Sequence, residues 1–224
     1  MRGFFESAAK KHSAHIQPVV QAQRENGGIR SSADRPEDPS VASSPLVRWS
    51  AAKIVDAAGG APVLDVGCGW GSNAIWLAQL GTPVICIDRD LTKIESQSSQ
   101  LCRSAHKDIS ERLILRQLDL AKDSWPFGPR TVGGIINVHC FLPSLLRCFE
   151  HSLLPGGYLC LETPQGHGRN YFELPKAGEV RGLLERGFDF EVYEERPVGP
   201  TSCNAVTVRV LAKKKAGSRE SPSD

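Results

Sequence analysis

A glycine-rich turn is the strongest chemical feature of this 224-residue sequence. Residues 63–71 read Val-Leu-Asp-Val-Gly-Cys-Gly-Trp-Gly, so an apolar run leads directly into three alternating glycines. Glycine lets the backbone turn tightly and lets a ligand approach main-chain N–H groups, while a helix that follows presents the positive end of its dipole. We therefore expect Gly67, Cys68, Gly69 and Gly71 to form one wall of a nucleotide-binding site.

Three acidic residues stand where successive strands are expected to end: Asp65, Asp88 and Asp119. Ligands of open α/β sheets bind in the crevice beyond the carboxyl ends of the strands, so the three side chains should converge on one groove. Asp88, about twenty residues beyond the first glycine, is placed to accept hydrogen bonds from both ribose hydroxyls. Taken singly, each acid is equally well explained as a cap, a turn residue or the solvent end of a strand.

The glycine spacing separates two classes of nucleotide fold. The dinucleotide pattern requires glycine or alanine three residues beyond its second glycine, and this chain has Ser72 there. Strict alternation of Gly67, Gly69 and Gly71 with Asp65 upstream instead resembles motif I of class I methyltransferases. That resemblance implies S-adenosylmethionine as the cofactor, with Asp65 helping to hold its ammonium group.

The resemblance extends from about Ser44 to Lys214; the cofactor motif is its specific part, and the second half resembles a narrower branch of the family. The run 118–127, the Leu-Pro-Gly-Gly-Tyr run 154–158 and the run 205–208 resemble the tellurite-resistance-type branch, which acts on small molecules. The resemblance implies that Asp119 accepts from the adenine amine and that Leu120 packs on the ring. Two further cofactor contacts are assigned to Arg89 and Asn137.

Methyl transfer from a sulfonium is an in-line displacement, so the protein mainly has to align the acceptor with the methyl group in a dry pocket. A thiolate or another soft anion needs no general base, whereas a neutral hydroxyl or amine does. His139, directly after the apolar run 135–138, is the best single candidate for contact with the acceptor. A hydrogen-bonded structural histidine is an equally good interpretation of this position.

A polar, glycine-broken segment over residues 162–171 has the length of a lid over the acceptor. It contains His167, Arg169 and Tyr171, and we take Arg169 and Tyr171 with His139 as the catalytic candidates. A guanidinium beside the pocket would favour an anionic acceptor, either an oxyanion or a carboxylate. An ordinary surface loop is the alternative.

The elements that must position these residues follow from alternating β-rich and helical runs, a pattern typical of parallel strands joined by crossover helices. Strands are predicted at 62–66, 83–88, 113–118, 134–138, 158–162, 188–195 and 205–211, and helices from Ser44-Pro45 to Gly59, over 72–80 and over 90–101. The last two strands are joined by a short turn-rich segment and form a hairpin. The prediction is a three-layer, Rossmann-like α/β sandwich with a mostly parallel seven-stranded sheet and a C-terminal antiparallel hairpin.

Composition limits the organisation and the partners of the chain. We predict a flexible or loosely docked segment over 1–43, one methyltransferase domain over 44–214 and a disordered tail over 215–224. A helix over residues 4–23 that folds over a ligand is the alternative for the first segment. A net charge of +2 gives little field for a polyanion, so no nucleic-acid partner is expected.

The cysteines and the hydropathy pattern address location and metals. Seven cysteines form no closely spaced zinc pair, and their odd number argues against a fully paired disulfide framework. They indicate reduced thiols in the cytoplasm and no metal site. No apolar run approaches about 18 residues, so no membrane span is expected. The sequence does not give the oligomeric state.

Three other functions compete with a small-molecule methyltransferase. An NAD(P)-dependent oxidoreductase shares the strand–glycine–helix start but requires neither alternating glycines nor Asp119. A nucleic-acid or protein methyltransferase acting on planar amines would carry Asn-Pro-Pro-aromatic where this chain has Asn-Val-His-Cys at 137–140. A non-catalytic module that binds the cofactor is the third alternative.

Overall fold

The computed structural model describes residues 43–103, 107–166 and 170–217. Within these ranges the helices are α1 (Pro45–Ala58), α2 (Ser72–Gln79), α3 (Thr92–Arg103), α4 (Lys107–Ser110), α5 (Leu145–Ser152) and α6 (Glu179–Leu184). The strands are β1 (Val63–Val66), β2 (Val84–Asp88), β3 (Leu113–Gln117), β4 (Val132–Val138), β5 (Leu153–Glu162), β6 (Phe188–Pro197) and β7 (Val206–Lys214). Short 3₁₀ turns occupy Asn170–Glu173 and Thr201–Cys203.

The seven strands form one sheet in the order β3-β2-β1-β4-β5-β7-β6. The first five strands of the chain pair in parallel, whereas β7 lies antiparallel between β5 and β6. The predicted fold class, including the C-terminal hairpin, is therefore confirmed. The fifth strand begins at Leu153 rather than near Tyr158, because Leu153 pairs with Val132 across a register shift.

Helices cover both faces of the sheet and bury two separate apolar clusters. On one face α1, α2 and α3 contribute Ile54, Ile75 and Ile94, all at most 1% exposed. On the other face α5 and α6 contribute Phe149 and Leu184. Burying side chains of this size is the dominant favourable term in folding, so the two clusters fix the positions of the strand ends.

The start of α1 matches the sequence pattern in detail. The Ser44 hydroxyl accepts from the N–H groups of Leu46 and Val47, Pro45 follows at the first helical position, and Gly59 ends the helix at φ 57°. Serine and proline at these positions satisfy an otherwise unpaired donor and preset the first turn. The predicted helix between Ser44 and Gly59 is confirmed.

The predicted N-terminal segment lies outside the described residues except for Ser43, and so does the predicted tail beyond residue 217. Lys215, which the prediction placed in the tail, is attached to the fold because its N–H donates to the Gly187 carbonyl oxygen at 2.9 Å. In the described part of the chain, every helix is too short or too polar to cross a bilayer.

Candidate functional site

The glycine turn connects β1 to α2 and is held against β2. The N–H groups of Gly67 and Cys68 both donate to the Ile87 carbonyl oxygen, at 2.8 and 3.0 Å. Gly67, Gly69 and Gly71 have φ values of 72°, 54° and 77°, in the left-handed region that side chains disfavour. The predicted turn is present, and all three glycines have the backbone conformation that explains their residue type.

Close packing adds a second requirement at Gly67. A Cβ atom there would lie 2.4 Å from the Cβ of Cys140, in the segment that follows β4. At Gly69 a Cβ atom would meet nothing within 4 Å. The turn therefore touches the end of β4 at its first glycine and is open at its second.

Asp88, the last residue of β2, ties its strand end to the turn. One carboxylate oxygen accepts from the Gly69 N–H at 2.9 Å and the other accepts from the Asp90 N–H at 3.1 Å. A carboxylate has about four acceptor positions, so two hydrogen bonds leave room for further donors. The arrangement suits a pair of neighbouring hydroxyl groups.

Asp65 in β1 lies beneath the turn and is 1% exposed. Its carboxylate accepts from the N–H of Ala74, in the first turn of α2, at 3.1 Å. Burial raises the pKa of this carboxyl from 3.8 to about 7; the hydrogen bond from Ala74 opposes the rise and the charge of Asp88 adds to it. A buried acid with such a pKa is typical of functional sites, although structural networks also produce one.

This raised pKa makes stability pH-dependent with a definite sign. Between about pH 4 and pH 7 the unfolded chain releases the Asp65 proton while the folded protein retains it, so the folded state loses stability as pH rises. We expect Asp65→Asn, neutral at every pH, to gain stability over the wild type by up to roughly 4 kcal/mol between pH 4 and pH 8. Urea unfolding at both pH values tests this expectation, with exposed Asp56→Asn as control. An Asp65→Asn difference that does not grow with pH would contradict it.

Two cavities lie at the carboxyl ends of the parallel strands. The larger one, of about 880 Å³, is lined by Gly67, Cys68 and Trp70 of the turn, by the start of α1 and by the ends of β4, β5 and the hairpin. The smaller one, of about 580 Å³, is lined by Arg89, Asp119 and their neighbours. Asp65 and Asp88 line neither cavity, because the first is buried under α2 and the second is engaged by the turn. The single open groove expected from the sequence is thus divided in two.

Asp119 follows β3 and faces the smaller cavity. Its carboxylate pairs with Lys122 at 2.9 Å, and the hydrogen bonds from Lys122 and from the Ala121 N–H lower its pKa. A carboxylate that stays charged is a good acceptor for an amine donor. Leu120 is half-buried and packs against the Phe149 cluster, so its predicted contact with an aromatic ring remains a prediction.

Asn137 has a different environment from the one its predicted role requires. Its side chain is buried, and its amide donates to the carbonyl oxygens of Val66 and Cys140, at 3.2 and 2.6 Å. The residue lines neither cavity. In this structure Asn137 holds the end of β1 to the segment after β4, and it reaches the site only through that backbone.

His139 lies on the wall of the larger cavity, as expected for the residue that follows β4. Its main-chain N–H donates to the Glu162 carbonyl oxygen at 2.7 Å, and its φ is 60°. A non-glycine residue in this region costs about 1–3 kcal/mol and is enriched at functional sites. The structure brings His139 to the cavity that also contains the glycine turn.

The candidates from the predicted lid have a mixed outcome. His167 and Arg169 lie outside the described residues. Tyr171 is half-buried with its ring close to Gly199, where an added Cβ would lie 2.9 Å from the ring. Tyr171 does not line the larger cavity, so its predicted role in catalysis remains a prediction.

The cavity wall also carries a row of charged residues that was not predicted from the sequence. Glu162, Arg209 and Glu194 occupy paired positions on β5, β7 and β6. Glu162 is 8% exposed and accepts from Arg209 Nε at 2.8 Å and from the Ser44 hydroxyl at 2.6 Å. One signal was present in the sequence, because Glu162 is the last residue of its strand, as Asp88 is.

The described residues include no group of three His, Cys, Asp or Glu side chains arranged to hold a metal ion. All seven cysteines are free thiols. Cys68 and Cys86 are both buried in the α1–α3 cluster, and burial raises the pKa of the half-buried Cys140 thiol beside Gly67. These three residues pack beneath and beside the turn.

Residues 64–161 match the family described as "Methyltransferase domain". The matched segment contains the glycine turn, Asp88, Asp119 and His139. Comparison with curated proteins finds no matching sequence.

Solved structures share the fold at low sequence identity. The [4+2]-cyclase SpnF has a TM-score of 0.57 at 16% identity, over 77% of this chain and 80% of its own. Geranyl diphosphate C-methyltransferase from Streptomyces coelicolor A3(2), solved with S-adenosyl-L-homocysteine, has a TM-score of 0.55 at 13% identity, over 75% of this chain and 80% of its own. TehB from Haemophilus influenzae has a TM-score of 0.52 at 19% identity, over 73% of this chain and 62% of its own. At these identities the likeness establishes the fold alone.

Proposed function

We propose that this protein is a methyltransferase that takes the methyl group of S-adenosylmethionine and transfers it to a small molecule. The observation that carries the proposal is the glycine turn, held on β2 by Asp88 and opening directly onto a cavity of about 880 Å³. The match of residues 64–161 to a methyltransferase domain supports it. The proposed domain spans residues 44–214, and the proposed compartment is the cytoplasm.

The residues present fit the proposed cofactor, which brings an electrophilic methyl group on a sulfonium. Asp88 would accept from the ribose hydroxyls, since each of its oxygens has one hydrogen bond and a remaining lone pair. Gly69 has open space where a Cβ would project, so a ligand can approach its backbone closely. Asp119 and Leu120, beside Arg89, would receive the adenine end.

Asp65 is buried and lines neither cavity, so it would act on the ammonium group of the cofactor from beneath the turn rather than from the cavity wall. Its pKa of about 7 means that the carboxyl is only partly ionised near neutral pH, and a nearby ammonium would favour the charged form. Cys68 and Asn137 remain proposed contacts of the same ligand, the first from the cavity wall and the second through the backbone that it holds.

The acceptor would lie in the larger cavity, with His139 on its wall. Alignment and exclusion of water are the main contributions that a protein makes to such a displacement. A thiol, reacting as its thiolate, or a chalcogen oxyanion is the proposed acceptor class, since soft anions react without a base. If the acceptor is neutral, His139 is the proposed group on this wall to accept its proton.

A non-catalytic cofactor-binding module is the second candidate. It is kept because a fold by itself does not determine the function that it carries. An NAD(P)-dependent oxidoreductase is the third, and the alternating glycines count against it.

Two measurements separate these candidates. Isothermal titration calorimetry should detect S-adenosylmethionine binding and no comparable NAD binding. Incubation with the cofactor and a panel of a thiol, selenite and tellurite, with detection of S-adenosylhomocysteine, should then show turnover. Preferred binding of NAD would overturn the proposal, and cofactor binding without turnover across a wide acceptor panel would favour the non-catalytic module.

His139→Ala should separate binding from turnover. The side chain of His139 is on the wall of the proposed acceptor cavity, so we expect cofactor affinity within about twofold of wild type. Turnover should fall by about tenfold or more if the imidazole moves a proton. His139→Gly serves as the control, since it removes the imidazole and also relieves the φ of 60°. Wild-type turnover in both variants would contradict a role for His139.

A further inference from the structure

The cavity-facing side of the hairpin carries charges in an ordered array. Arg209 on β7 pairs across the sheet with Glu162 on β5 and with Glu194 on β6, and Arg196 on β6 pairs with Thr207 on β7. Residues two apart on a strand point to the same face, so Arg209, Thr207, Glu194 and Arg196 share one face. These residues all line the larger cavity.

Arg209 is held firmly at one end and is available at the other. Its Nε donates to buried Glu162 at 2.8 Å, and Glu162 is fixed in turn by the Ser44 hydroxyl. A guanidinium has five N–H donors, of which this bond uses one. Among the described residues, the other charged group near its terminal nitrogens is Glu194, at 3.8 Å, beyond hydrogen-bonding distance. The Nη edge therefore keeps donors for a ligand.

Arg196, on the same face as Glu194, also makes only a weak ion pair. Arg196 is 72% exposed in its side chain and approaches Glu194 at 3.4 Å. Exposed pairs of this length contribute little to stability. Two guanidinium groups thus flank one loosely paired carboxylate, and an incoming anion can replace that carboxylate as their partner.

The position of the array decides which ligand it serves. In the sheet order, β7 lies three strands away from β1, which is about 14 Å at the usual spacing of roughly 4.8 Å. The glycine turn is at the end of β1, so the array faces the far side of the cavity from the proposed cofactor. It is placed to contact the second substrate.

We infer that Arg209, assisted by Arg196, binds an oxyanion of the methyl acceptor through the Nη edge of its guanidinium, and that Glu162 positions Arg209 for this. The inference rests on the proposed function and adds the charge class of its substrate. Guanidinium groups match carboxylates and related oxyanions in a bidentate geometry, which gives both affinity and orientation. Glu194 is the internal competitor for the same donors.

The test compares 3-mercaptopropionate with its neutral amide, 3-mercaptopropionamide, and adds selenite as an inorganic oxyanion. Binding is measured by calorimetry with and without S-adenosylhomocysteine. Wild-type protein should prefer the carboxylate over the amide by about tenfold or more, and Arg209→Gln should abolish that preference. Selenite binding that falls with Arg209→Gln, without a carboxylate preference, would assign the site to an inorganic oxyanion and still support the inference. Wild-type protein that binds neither oxyanion would overturn it.

Glu194→Gln should change oxyanion affinity in the opposite direction to Arg209→Gln. Removing the competing carboxylate should tighten 3-mercaptopropionate binding by about threefold or more. Weaker binding of this probe, or tighter binding of cysteamine by the wild type than by Glu194→Gln, would show that the cavity recognises a cation and would overturn the inference.

Arg209→Gln could also destabilise the fold, because it leaves the buried Glu162 carboxylate without its cation, so further variants are needed as controls. Arg196→Gln is the second variant; its exposed side chain has no comparable buried partner, and it should weaken oxyanion binding by about threefold. Arg147→Gln, an exposed arginine on α5 that lines neither cavity, is the matched control and should change nothing. Unchanged binding in folded Arg209→Lys and Arg196→Gln would contradict the inference.

The carboxylate of the cofactor's amino-acid end is another oxyanion that Arg209 could bind in place of the acceptor. If Arg209 held it, Arg209→Gln would weaken S-adenosylhomocysteine binding and spare methylthioadenosine, which lacks the amino-acid end, and this result would overturn the inference. A wild-type protein that binds no S-adenosylmethionine would instead defeat the proposed function. The oxyanion titrations without nucleotide remain interpretable in that case.

Discussion

Asp88→Ala should lose S-adenosylmethionine binding almost completely. The carboxylate at the end of β2 is the proposed acceptor for both ribose hydroxyls, and hydrogen bonds to a charged group contribute about 1.5–3 kcal/mol each. Losing two such bonds corresponds to an affinity lower by about 10²- to 10⁴-fold. Isothermal titration calorimetry of wild type and variant measures this directly.

The same carboxylate also holds the turn through the Gly69 N–H, so the loss needs to be separated from a collapse of the turn. Asp88→Asn keeps an acceptor oxygen for Gly69 and removes the charge; we expect a stable protein with affinity still reduced by about tenfold or more. Asp189→Ala, an exposed acid on β6, is the control and should bind normally. Normal cofactor affinity in Asp88→Ala would disprove the assignment of the ribose site.

Gly67→Ala should be far more damaging than Gly69→Ala. Both glycines have left-handed φ values, and a side chain in that region costs about 1–3 kcal/mol. At Gly67 the new methyl group would also lie 2.4 Å from the Cβ of Cys140, whereas at Gly69 it meets open space. Overpacking of this kind costs a further 1–3 kcal/mol or so, since the end of β4 has to move. Urea unfolding should show that Gly67→Ala lowers the free energy of unfolding by about 3 kcal/mol or more.

The steric part of this effect has its own test. The double variant Gly67→Ala/Cys140→Gly removes the colliding atom and should recover the steric share, leaving a loss similar to that of Gly69→Ala. Cys140→Ala retains the Cβ and should rescue little. Equal destabilisation by Gly67→Ala and Gly69→Ala would show that the packing against Cys140 has no energetic importance.

Local sequence was sufficient for the fold and for the turn. Alternating glycines, the strand that precedes them and the serine–proline start of α1 all act within a few residues, and each produces the conformation expected of it. The same holds for Asp88, whose place at a strand end follows from the length of its apolar run. Features determined by neighbours in sequence were predictable.

Features determined by strand pairing could not be predicted from the local sequence. Glu162 and Arg209 are 47 residues apart and meet only because β7 inserts between β5 and β6. Asp65 shows the same limit, since its burial under α2 depends on packing of the whole layer and removes it from the groove in which it was expected. Asn137 was selected as a ligand contact, and its amide joins the end of β1 to the segment after β4.

The insertion of β7 also has a consequence for how the protein is made. A ribosome delivers β6 before β7, but β6 is joined to the rest of the sheet through β7. The emerging chain must therefore keep the edge of β5 unpaired through the synthesis of some forty residues between Glu162 and Val206. Exposed strand edges are sites of aggregation, so the nascent protein is most vulnerable just before its last strand arrives.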